Sequence, residues 1–163
     1  MADRSEEHKL FKAVRDGDKD AFAALQAEAE NGNSHAQFLV GRKLLIPRKE
    51  CVKGVKWLQK AGNEGHATAQ LSLAGIYRFG CGPDVSVDYK QAYYWELLAQ
   101  KTSHEYPKLP GRLSSDQIPD DFGIPEAIEV FQKNLTIDEI AAIRKRVGDW
   151  KLTSAPDENP AKP

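Results

Sequence analysis

Cysteine is scarce: Cys51 and Cys81 are the only two in 163 residues. A scaffold stapled by several disulfides is excluded, and two reduced thiols in a cytoplasmic protein are the expectation. Long apolar runs are lacking as well. No stretch approaches the ~20 apolar residues a membrane-spanning helix needs, so no membrane insertion is expected. The first residues, Met1-Ala2-Asp3-Arg4-Ser5-Glu6-Glu7, lack the basic start and apolar core of a secretory signal. Neither sign of charge prevails. With 23 basic and 24 acidic residues the net charge is −1. That argues against a nucleic-acid partner, since sequence-independent binding draws on a surplus of Lys and Arg. What is present is a 40% apolar composition, too rich for a disordered chain. A chain of this length buries roughly 68–70% of its unfolded surface, enough for one domain.

The chain repeats itself. Shifted by 33 residues, Leu25 falls on Leu58, Gly32 on Gly65, Ala36 on Ala69, Gln37 on Gln70 and Gly41 on Ala74. A second register, shifted by 38, sets Gly54 on Ala92 and Trp57 on Trp95. The extra residues fall in the 77–89 segment, where Gly80-Cys81-Gly82-Pro83-Asp84 breaks regular structure. A fixed period of this size marks a stacked-repeat architecture. Within it, apolar residues recur at helical spacing. Helices are expected over 6–15, 18–30, 34–46, 52–61, 66–79 and 87–101, and no period-2 alternation suggests a strand. Ser34 and Gln37 have the spacing of a capping box. Small residues (Ala36, Gly41, Ala69, Ala74, Ala92, Ala99) fit helix crossings, and large ones (Leu44, Trp57, Tyr77, Trp95) fill the layers between.

The stretch His66-Ala67-Thr68-Ala69-Gln70-Leu71-Ser72-Leu73-Ala74-Gly75-Ile76-Tyr77, the loop Gly80-Cys81-Gly82-Pro83, the helix Gln91-Ala92-Tyr93-Tyr94-Trp95 and the turn Lys60-Ala61-Gly62-Asn63-Glu64-Gly65 together resemble Sel1-like repeats, relatives of the tetratricopeptide repeats. The likeness covers about residues 20–101. In the first copy Leu44 stands where the pattern has Tyr, and the Gly-rich loop is lost. The resemblance implies an all-α fold: a right-handed α/α solenoid of helix pairs in one domain over 1–152. It further implies a bacterial setting and a non-catalytic role in protein–protein interaction. Beyond the repeats, Pro107, Pro110 and Pro119 with Gly111 and Gly123 suggest an insert over 102–123. Capping helices are expected over 124–150, with Pro125 in a first turn and Thr136 with Glu139 as a capping box. A disordered tail is expected over 153–163, where Pro156, Pro160 and Pro163 lie.

Motifs for chemistry fail on inspection. Gly80-Cys81-Gly82 lacks the third glycine of a dinucleotide loop, and Cys81 stands where a phosphate-binding loop needs Lys. Asp16-Gly17-Asp18 begins like a calcium loop but has Ala21 and Ala27 where Gly and Glu belong, so Asp18 reads as a helix cap. His104-Glu105 lacks the second His of a zinc motif. No metal site and no cofactor are expected, and the chain does not read as an enzyme. A small hydrolase using the acids Asp116, Asp120 and Asp121 with His104 is the weakest alternative.

By the tetratricopeptide analogy, the first helix of each pair lines a concave groove. Its residues would be His35, Phe38, Arg42 and Leu45 in one copy, and Thr68, Leu71, Gly75, Arg78 and Phe79 in the next. Arg42 and Arg78 with apolar neighbours suit a peptide that carries a carboxylate and an apolar anchor. The competing reading packs Phe38 and Leu71 into the adjoining pair. Tyr106 opens the insert, which either crosses the groove as a lid or points outward. An acidic insert would also suit an inhibitor or immunity-type protein that blocks a partner toxin or enzyme. Self-association through an open end of the stack is the remaining alternative.

Overall fold

The computed structural model describes residues 4–45, 50–106 and 125–152. Its helices are α1 (Arg4–Asp16), α2 (Lys19–Glu30), α3 (Ser34–Leu45), α4 (Cys51–Asn63), α5 (Ala67–Phe79), α6 (Tyr89–Glu105), α7 (Pro125–Asn134) and α8 (Ile137–Asp149). Among the described residues there is no strand, only an isolated antiparallel bridge from Cys81 to Val85 in the loop after α5. From α1 to α6 each helix packs on its neighbours in sequence, and α6 also carries α8 and, more lightly, α7.

Short turns with glycine fix these reversals. Gly32 and Gly65, at φ 91° and 83°, end the second and fourth helices. Only glycine adopts that backbone without strain. Asp18 caps α2 as expected, accepting from the Asp20 and Ala21 amides. The cap of α3 differs from expectation. Asn33, one residue before Ser34, accepts from the His35 and Ala36 amides at 3.0 Å each. Gln37 is thereby released from a capping box. Its amide is buried, must find a partner there, and donates to the Ala29 carbonyl in the last turn of α2 at 3.2 Å. One repeat later Gln70 does the same, donating to the Gly62 carbonyl of α4 at 2.7 Å. His66 takes the place of Asn33, accepting from the Ala69 amide. The 33-residue recurrence is thus a recurrence of buried hydrogen bonds.

The packing follows from the small residues. A Cβ on Gly41 would stand 2.9 Å from Leu58 Cγ and 3.0 Å from the Gly54 carbonyl oxygen. One on Gly54 would stand 2.8 Å from Leu45 Cγ and 2.9 Å from the Gly41 carbonyl. So α3 and α4 cross backbone to backbone. In the next pair Ala74 and Ala92 hold these places, both buried. Leu58, Leu73 and Leu98 are fully buried in the core, each contributing roughly 1.5–3 kcal/mol by leaving water.

Two expectations are corrected. The two thiols are not reduced: Cys51, first residue of α4, and Cys81, after α5, form a disulfide with Cα atoms 5.8 Å apart. Packing of α4 on α5 brings the two ends within the span such a bond requires. Second, α6 does not stop at Lys101 but runs through Glu105, because Thr102 and Ser103 are themselves buried. Residues 107–124, most of the expected insert, and the expected tail lie outside the described residues. The Thr136 capping box is present: its hydroxyl accepts from the Glu139 amide, and the Glu139 carboxylate accepts from the Thr136 amide. No helix among the described residues is long and apolar enough to cross a membrane.

Candidate functional site

The expected groove residues divide into an inner and an outer set. His35 and Phe38 on α3 face the start of α5. Phe38 is buried and stacks on His66 with ring centroids 4.6 Å apart, and His35 stacks on the same imidazole at 5.5 Å. His66 accepts the Ala69 amide through Nδ1. Its Nε2 therefore carries the proton and donates to His35 Nδ1 at 3.2 Å. Burial, with the neighbouring His35 charge second, lowers the His66 pKa from 6.5 to about 4. His66 is held by the Ala69 amide, by His35 and by the Phe38 ring. The pair reads as a seam between α3 and α5.

Arg42 lies over the Phe38 ring at 5.5 Å. Arg78 lies between the Phe79 and Phe131 rings, at 5.4 and 6.0 Å. Each arginine thus has its own aromatic support. Arg78 also faces Glu96, whose carboxyl is pushed above its usual range by burial, the arginine opposing that shift. Thr68 and Leu71 are half-buried. Phe79 is 76% exposed, an uncommon place for a phenylalanine. Tyr106 caps α6 and meets Trp150 edge-on at 6.1 Å, tying α6 to the end of α8. Lys101 reinforces that junction by donating to the Val147 and Gly148 carbonyls at 3.1 and 2.8 Å.

Leu71, Gly75 and Arg78 share one face of α5, and Arg42 occupies on α3 the place Gly75 holds on α5. A Cβ on Gly75 would meet nothing within 4 Å. Open space therefore stands over the middle of α5, flanked by Leu71 and Arg78. Sequence reasoning missed a second concavity, a pocket of about 340 Å³ among α6, α7 and α8 with Tyr93 and Phe131 at its floor and Arg144 at its edge. The signal available was Ile137, an apolar residue at the first position of α8 beside Asp138 and Glu139; it is 85% exposed at that pocket's mouth. Among the described residues no three His, Cys, Asp or Glu side chains gather as a metal site. The acids Asp116, Asp120 and Asp121 lie outside the described residues.

Compared with models of protein families, with curated proteins and with solved structures, the chain finds no match.

Proposed function

We propose that this chain is a non-catalytic protein–protein interaction module of the Sel1-like class, a solenoid of helix pairs that docks a peptide or partner surface along α3 and α5. The observation that carries the docking surface is Gly75. A glycine inside a helix costs about 1 kcal/mol relative to alanine. At Gly41 and Gly54 close backbone contact accounts for that cost, but around Gly75 there is only open space. A bare helix turn between Leu71 and Arg78 suits the close approach of a partner's chain. Exposed Phe79 offers it an apolar contact, and Arg42 and Arg78 offer charge-assisted hydrogen bonds. The repeat-equivalent hydrogen bonds of Gln37 and Gln70, and the sequential packing of α1 to α6, support the solenoid reading.

The test is affinity capture with wild-type protein beside Gly75→Ala, Gly75→Trp and Arg42→Glu, each checked for unchanged helical circular dichroism. We expect Gly75→Ala to stabilise the fold by about 0.5–1 kcal/mol. Gly75→Trp and Arg42→Glu should lose a partner that the wild type retains. Retention of every partner by Gly75→Trp would rule out this surface.

The disulfide bears on compartment. Two reduced thiols pointed to the cytoplasm, whereas a buried Cys51–Cys81 bond persists in oxidising surroundings. We therefore favour an oxidising compartment, and thiol titration of protein taken directly from cells tests it. Two free thiols per chain would restore the cytoplasmic reading.

A further inference from the structure

The pocket among α6, α7 and α8 joins an apolar interior to the guanidinium of Arg144. Tyr93, Phe131 and Leu135 form its floor, all of them buried. The two rings meet at 4.9 Å. Ile140 lines the wall, and Ile137 stands at the mouth, held at the first position of α8 by the Thr136 capping box. Arg144 lies one turn further along the same helix. Its Nε donates to the Tyr93 hydroxyl at 3.0 Å, which braces the guanidinium, while the residue as a whole is exposed. Carboxylates of α7 and α8 are engaged with lysines: Glu139 pairs with Lys90 at 2.7 Å and Glu129 with Lys133. Among the described residues no carboxylate forms an ion pair with Arg144.

We propose that this pocket binds the C-terminal residue of a partner polypeptide, with an apolar side chain in the cavity and the terminal carboxylate on Arg144. The terminal edge of a guanidinium matches a carboxylate in a two-point contact, and bracing by Tyr93 lowers the ordering cost of making it. At about 340 Å³ the cavity lies near the lower end of small-ligand pockets. That size is enough for one large side chain and part of its neighbour. Gln132 at the rim supplies an amide that can donate to and accept from the peptide backbone. The lining comes from α6, the α7–α8 region and α8. Although Arg78 of the groove reaches the Phe131 ring, Arg144→Gln changes this pocket while leaving Arg42, Gly75 and Arg78 in place, so the two proposals fail separately.

The experiment titrates the full chain with short N-acetylated peptides ending in Leu or Phe. Each is used as the free acid and as the C-terminal amide, with decanoate as a separate probe, and binding is read by calorimetry and by shifts of protein amide resonances. The free acids should bind with a dissociation constant at or below about 1 mM, shifting resonances of α7 and α8. Amidation, and separately Arg144→Gln, should each weaken binding about tenfold or more. Ile137→Asn, at an exposed position that leaves folding intact, should weaken it less. Equal binding of acid and amide, wild-type affinity in Arg144→Gln, binding of decanoate without the peptides, or no binding at all would each overturn the proposal.

Discussion

His66 serves two neighbours with two nitrogens, and the accepting contact together with burial favours its neutral form. Nδ1 must keep its lone pair to cap α5, and Nε2 donates to His35. Protonation would destroy the cap and place a charge in a buried site beside a second imidazole. With its pKa lowered from 6.5 to about 4, the native state binds fewer protons than the unfolded chain across that window. His66 therefore contributes stability that is fully present above 6.5 and is lost as pH falls toward 4. Between pH 7 and pH 5 the loss amounts to about 2 kcal/mol. Urea denaturation at several pH values checks this slope. His66→Asn, which copies the cap found at Asn33 one repeat earlier, should flatten the profile over the same window. An unaltered slope in that variant would assign the acid sensitivity elsewhere.

At the scale of elements, stability depends on how closely α3 and α4 approach. Gly41→Ala would drive a methyl group into Leu58 and the Gly54 carbonyl. Overpacking of this kind should cost roughly 1–3 kcal/mol, against the usual gain of replacing a helical glycine. The opposite responses of Gly41→Ala and Gly75→Ala, read by thermal denaturation, distinguish a crossing glycine from one with open space around it. The elements themselves were legible in the sequence because apolar spacing and turn glycines act locally. The Thr136 box was legible for the same reason. The α3 cap was read one residue late, since Ser34 and Asn33 are both good caps and the deciding factor is a buried demand, the carboxamide of Gln37. The Tyr93–Arg144 contact was not legible at all. Its members lie 51 residues apart and meet only because α8 packs on α6.

At the scale of the whole molecule, the Cys51–Cys81 bond is the longest-reaching local decision. In the sequence both cysteines fall in neighbouring inter-helix segments, which allows an approach, but their spacing alone does not decide between a bond and two thiols. Their proximity is a product of α4 packing on α5. Closing a loop with a sequence separation of 30 should stabilise the fold by about 3–4 kcal/mol through restriction of the unfolded chain. The double variant Cys51→Ser/Cys81→Ser should show this deficit in urea denaturation, and the wild type should match it when a reductant is present throughout. Identical midpoints with and without reductant would mean that the bond is absent in solution.

The same bond changes the mechanics of the chain. Tension applied to the two ends passes through the sulfur atoms and bypasses everything from Val52 to Gly80. The fully stretched oxidised chain is shorter than the reduced one by about 100 Å, the length of some thirty extended residues. The α4–α5 pair, which contains the Gln70 hydrogen bond and the His66 cap, is thus a closed ring under load. Forced unfolding from either end can strip away its neighbours but cannot draw that ring out into a line.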